Sequence, residues 1–174
     1  MAWQRAAVLL VTFWVCAGAH ADLKVGDSAP AFDLPGTDGQ RHAHIQASGA
    51  WTVLAWFPKA YTSGCTIECK SLAENGHLIR EFNTRYFMIS VDPLADNTGF
   101  AEQEGADFPL LSDESKSVAA AYGVLSERGY AKRHTFYIDQ AGTIVAIDRD
   151  VKPATSAQDM AATLAALGAP PASP

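Results

Sequence analysis

The sequence predicts an α/β fold: a central mixed β-sheet flanked by helices, with a β extension at its N-terminal end. Three observations carry that expectation. Apolar runs of strand length occur at 51–57 and 86–91, each followed by a segment that reads as helix. Two further apolar runs, 135–139 and 143–147, flank a Gln140-Ala141-Gly142 turn and read as a hairpin. An Ala-rich stretch at 156–167 closes the pattern as a helix. Strand–helix–strand units put neighbouring strands parallel and a hairpin puts them antiparallel, so the sheet must be mixed.

The elements follow in order. Short strands at 31–34 and 41–45 surround a Thr37-Asp38-Gly39 turn and form the N-terminal extension. The run 51–57 reads as a buried strand, and 70–82 as an amphipathic helix after it. The strand 86–91 stops at Asp92-Pro93. A helix is expected at 98–104, an extended piece at 108–111, and a helix at 115–122 that ends at Gly123. With 174 residues, 48% hydrophobic, the chain can bury one proper core, and no internal repeat or second domain is visible. The net charge of −6 is spread without a basic stripe, which argues against nucleic acid as a partner.

The N-terminal end reads as an export signal. Arg5 precedes an uncharged run that closes on Ala19-His20-Ala21, and a cut is expected after Ala21. That run is shorter than the ~20 apolar residues a membrane span needs. The expected division is a signal peptide at 1–21, a domain at 22–168 and an unstructured Pro/Ala tail at 169–174. The mature protein is then exported, periplasmic by expectation, and without stable membrane association. Cleavage removes Cys16 and leaves Cys65 and Cys69. Two cysteines four apart close too short a loop to act as a staple, which turns attention to redox or metal chemistry.

Cys65 stands where the turn after the first main strand hands over to a helix. A sulfur there faces unpaired amides and the positive end of the helix dipole, so its thiolate is favoured. Cys69 shares a helical face with Leu72, Ala73 and Gly76, which fits either a redox partner or a small buried hydrophobe. Thr62 can cap the helix. Trp51, Trp56, Phe57 and Phe136 read as core. His42 and His44 share a strand face, but two ligands do not make a metal site. His77 reads as helix surface, and Glu102, Glu104 and Asp107 as a solvated face.

The spacing Pro58-x3-Thr62-x2-Cys65 resembles the active-site signature of the peroxiredoxins. The surrounding Phe57-Pro58-Lys59-Ala60 and Gly64-Cys65-Thr66 are most similar to the bacterioferritin-comigratory, or peroxiredoxin Q, branch. The similarity extends over 23–167 and includes Phe108-Pro109-Leu110-Leu111-Ser112-Asp113 and Arg133-His134-Thr135. The resemblance implies a thioredoxin-like fold and a thiol-dependent peroxidase acting on hydrogen peroxide and organic hydroperoxides. It implies no metal, haem or flavin cofactor, a thioredoxin-like or other dithiol reductant as partner, and a monomer. It makes Cys65 the peroxidatic cysteine, Thr62 and Pro58 its pocket partners, and Arg133 the pocket arginine, with Glu68 placed to pair with Arg133. Two departures stand out. Tyr61 and Ser63 occupy positions where that branch often carries Asp and Pro. The branch's resolving cysteine commonly lies five residues after the peroxidatic one, where this chain has Lys70; Cys69 takes the resolving role by inference. Two alternatives share part of this pattern. A copper metallochaperone of the Sco type would use Cys65, Cys69 and a distant histidine, but would leave Pro58, Thr62 and Arg133 without a role. A thiol–disulfide exchange protein would normally carry Cys-x-x-Cys, which is absent.

Overall fold

The computed structural model describes residues 22–44 and 49–173. The expected signal segment at 1–21, with Cys16, lies outside the described residues, as does Ile45 at the end of the second expected strand. Among the described residues, seven strands and four α-helices follow in chain order: β1 (Asp33–Pro35), β2 (Arg41–Ala43), β3 (Trp51–Trp56), α1 (Ser63–Asn75), β4 (Thr84–Ser90), α2 (Leu94–Glu104), β5 (Leu110–Ser112), α3 (Ser117–Ala121), β6 (His134–Ile138), β7 (Ile144–Asp148) and α4 (Ser156–Ala166). The main sheet has the order β5-β4-β3-β6-β7. Its β5, β4 and β3 run parallel, and β6 and β7 are antiparallel additions. β1 and β2 form a separate antiparallel pair. The pair leans on the edge strand β5 through a Gly36–Leu111 bridge and a bond from the Thr37 amide to the Leu110 carbonyl, which covers that edge.

The pleat of β3 explains why two apolar layers form. Val53, Ala55 and Phe57 point to one face with α1, α2 and α4, while Leu54 and Trp56 point to the other with α3 and the β1–β2 pair. Every residue of β3 is buried, as a strand covered on both faces requires. The first face holds Cys65, Cys69, Leu72, Met88, Phe100 and Met160, so both thiols lie inside the larger core.

Several boundaries differ from the sequence reading. The helix expected at 70–82 begins seven residues earlier, at Ser63, and ends at Asn75, passing into a 3₁₀ turn at Gly76–Glu81. Gly76 opens that turn, and a Cβ there would collide with the Tyr86 hydroxyl oxygen. α2 begins at Leu94, directly after Pro93, whose fixed φ suits a helix entry. Glu104 is not solvated: its side chain is 2% exposed, with Lys70 3.6 Å away and Gln103 donating to it. The tail after Gly168 is docked as far as Ala172, not unstructured. Pro170 accepts a bond from the Asn83 amide, the Ala172 amide donates to the Glu81 carbonyl, and Ala169 is buried. Short terminal segments stay ordered when their backbone finds such partners.

Candidate active site

Cys65 is the third residue of α1, and the loop from Phe57 to Thr62 places it. Two attachments hold that loop. The Ala60 amide donates to Asp92 Oδ2 at 2.9 Å. Asp92 is buried and braced in turn: its amide donates to Ser90 Oγ, and Ser112 Oγ donates to its carbonyl. Tyr61 supplies the second attachment. Its φ of +62° lies in the left-handed region, which costs a non-glycine residue on the order of 1 kcal/mol or more. The side chain offsets that strain. Its ring meets Phe100 edge-on at 5.4 Å and its hydroxyl donates to the Asp96 carbonyl at 3.2 Å. Gly99 makes room, since a Cβ there would come within 2.7 Å of the Tyr61 hydroxyl oxygen.

Thr62 is the extended residue that opens α1, and its carbonyl accepts the Thr66 amide. Its hydroxyl does not cap the helix; it donates to the Lys59 carbonyl at 2.8 Å. The first-turn amides of a helix have no intrahelical acceptor and point to the end where Cys65 sits. Pro58 is half-buried beside this turn.

Arg133 arrives from the other side of the sheet's end. It immediately precedes β6, whose His134 pairs with Trp56 at the end of β3, so the antiparallel register carries the guanidinium to the turn after β3. Its Nη2 lies 3.2 Å from Cys65 Sγ, and its Nη1 donates to Glu68 Oε2. Gly64 permits this approach, because a Cβ there would stand 3.1 Å from Nη2. Burial works against the Arg133 charge, but Glu68 and Cys65 more than offset it and hold its pKa above the usual value. Glu68 is fully buried one turn along α1 from Cys65, and burial pushes its carboxyl up to about 7 against the pull of Arg133 and Ser156. Ser156 Oγ stands 3.5 Å from Glu68 Oε1 at the start of α4, where the helix dipole favours a carboxylate. The Ala157 amide donates to Ser71 Oγ and ties the two helices together there.

Cys69 lies in different company. It is fully buried and a free thiol, like Cys65. Burial, then the carboxylates of Glu104 and Glu68 and the Cys65 sulfur, push its thiol up to about 12.

The structure thus brings Cys65, Glu68, Arg133 and the Pro58–Thr62 turn together at one end of α1. His42 is taken by Asp38, His44 stacks on Phe32, and His134 packs near Phe136. Among the described residues no group of three or more His, Cys, Asp or Glu side chains could hold a metal ion. Sequence reasoning missed three supports. Asp92 read only as a strand stop, Tyr61 only as a departure from a pattern, and Ser156 only as a helix start; no local signal announces that they meet the site.

Comparison with known proteins identifies the family. The chain belongs to the AhpC/TSA family, whose model matches residues 25–147. Within it the similarity is to the bacterioferritin-comigratory branch. The chain is 34% identical over 137 residues to peroxiredoxin Bcp of Escherichia coli K12, covering 75% of this chain and 88% of that protein. The crystal structure of peroxidoxin BcpB from Mycobacterium tuberculosis superposes with a TM-score of 0.76 at 31% identity, covering 83% of this chain and 97% of that one. The Xanthomonas campestris bacterioferritin comigratory protein, studied for alkyl peroxide reduction, superposes with a TM-score of 0.72 at 25% identity, covering 78% of this chain and 90% of that one. The fold is therefore the thioredoxin-like α/β fold of the peroxiredoxins, and the chain is a thiol-dependent peroxidase. These relatives lend no support to copper delivery.

Proposed function

We propose that Cys65 is the nucleophile that reduces hydrogen peroxide and organic hydroperoxides in this protein. The observation that carries the reading is the Arg133 guanidinium 3.2 Å from Cys65 Sγ at the opening turn of α1. A thiolate attacks one oxygen of the substrate in line with the O–O bond, that bond breaks, and the cysteine becomes a sulfenic acid. The departing oxygen takes a proton and leaves as water or an alcohol. Negative charge moves from sulfur to the departing oxygen during this step. Arg133 and the first-turn amides of α1 are the groups able to hold it; the Thr62 hydroxyl, which donates to the Lys59 carbonyl, would have to turn away from that bond to join them. Glu68 keeps the guanidinium fork in one orientation, and Pro58 shields the sulfur from bulk water.

Cys69 completes the cycle. Its thiol condenses with the Cys65 sulfenic acid, giving a disulfide and water, and an external dithiol of thioredoxin-like chemistry reduces that disulfide. Helical residues four apart hold their Cβ atoms ~5–6 Å apart, while a disulfide needs ~3.5–4.5 Å. The first turns of α1 must therefore open after Cys65 is oxidised. The protein works after export as a monomer released at residue 21, which places its reductant outside the cytoplasm.

Intact mass before and after one equivalent of hydrogen peroxide tests the reading. The parent loses two hydrogens, Cys69→Ser gains oxygen, and Cys65→Ser does not change rapidly. Oxygen addition in the parent rejects Cys69 as the resolving thiol, and an inert parent rejects Cys65 as the nucleophile.

A further inference from the structure

The residue directly after Cys69 holds α1 to α2. Lys70 Nζ lies 3.6 Å from Glu104 Oε2, and Glu104 is the last residue of α2. The pair is lopsided: the lysine side chain is 56% exposed and the carboxylate only 2%. Gln103 Nε2 donates to the other carboxylate oxygen at 2.8 Å. A carboxylate so placed is expensive to desolvate, and its main counter-charge is the lysine beside the thiol that must move.

We propose that Glu104, through Lys70, is a positioning residue for the resolving step: the pair latches the second turn of α1 to α2 and sets how fast Cys69 is released toward oxidised Cys65. The proposal rests on the reading of Cys69 as the resolving thiol. While the latch is shut, Cys69 is fully buried among Leu72, Phe100 and Met160, and the Glu104 carboxylate helps keep its sulfur protonated. Opening carries Cys69 out of the core and away from that charge, so geometry and electrostatics are released together. A slow latch leaves the Cys65 sulfenate exposed to a second hydroperoxide. That molecule transfers an oxygen to the sulfur, giving sulfinic acid and one more water or alcohol. The latch thus divides oxidised Cys65 between recyclable disulfide and dead-end sulfinic acid.

Rapid-quench mass spectrometry on the parent, Glu104→Gln, Lys70→Gln and the double variant tests this with hydrogen peroxide at one equivalent and in excess. Each single variant should form the disulfide ~3- to 10-fold faster, and the double variant no faster than the singles, because one interaction is lost. The sulfinic fraction at excess peroxide should fall by a similar factor, while oxidation of Cys65 changes less than twofold. Unchanged disulfide rates overturn the latch and leave Cys69 as resolver. A parallel drop in every rate and in Tm reduces Glu104 to a merely structural role and also overturns it. A parent that forms no disulfide overturns both the latch and the resolving role.

Discussion

Cys65 and Cys69 lie one turn apart on the same helix and are equally buried, yet their surroundings are opposite. Cys65 has a guanidinium at 3.2 Å and the opening amides of α1 near its sulfur. Cys69, in the same apolar core, feels instead the buried carboxylates of Glu104 and Glu68. Position along one helix therefore decides which charges each sulfur meets: the first turn offers a guanidinium and free amides, and the second offers low dielectric and negative charge, which hold the Cys69 thiol up. The lesson concerns neighbours rather than residue type, because the two side chains are chemically identical.

The largest test of that contrast removes each thiol in turn. Cys65→Ser should lower peroxidase turnover on the order of 10⁴-fold or more, because the hydroxyl is a far weaker nucleophile. Cys69→Ser should retain the first turnover, measured by single-turnover peroxide consumption. Reactivity toward iodoacetamide sharpens the same comparison. In Cys65→Ser, a thiol held near 12 instead of the ordinary 9 should be alkylated about a thousandfold more slowly than a free thiol at pH 7. The sign of the shift also matters. A thiol whose folded pKa is raised stays protonated as pH passes through 9, and its contribution to stability is lost as pH climbs from there toward 12. Thiolate ultraviolet absorbance in Cys65→Ser should therefore be absent at pH 9; a full transition near that pH would break the comparison.

Arg133→Met should lower kcat/KM by about 10²–10³-fold, the cost of one preorganised donor, with peroxide consumption as the readout. Gly64→Ala should cost about tenfold in the same assay, because its new methyl crowds Arg133 Nη2 out of line with Cys65. The smallest effect is expected from Tyr61→Phe, which loses the bond to the Asp96 carbonyl. Denaturant unfolding should show a loss of about 1 kcal/mol or less, with turnover within twofold.

Much of the fold and part of the site are legible in the amino-acid order alone. Alternating apolar runs and turn residues place β3, β4, β6, β7 and α4 to within a few residues, because burial imposes periodicity on the sequence. The motif spacing from Pro58 to Cys65 locates the turn that carries the proposed nucleophile, since a strand-to-helix handover is a local event. The start of α1 is harder to read because Ser63, Gly64 and Cys65 carry no apolar stripe. The burial of Glu104 is invisible for a different reason. A glutamate between Gln103 and Gly105 looks solvated unless Lys70 is known to face it. The docked tail is hidden too, because its bonds go to Glu81 and Asn83, far away in sequence.

The sequence by itself determined the class of fold, the position of Cys65 at a helix start and the kind of chemistry that follows, all of which rest on short-range pattern. Only the tertiary structure decided which groups surround each sulfur. Arg133 reaches Cys65 from 68 residues away, through the register of β6 against β3. Glu104 reaches the Cys69 side of α1 only because α2 packs against that helix. Electrostatic environment is a property of distances in space, and those are set when the sheet and helices close on one core.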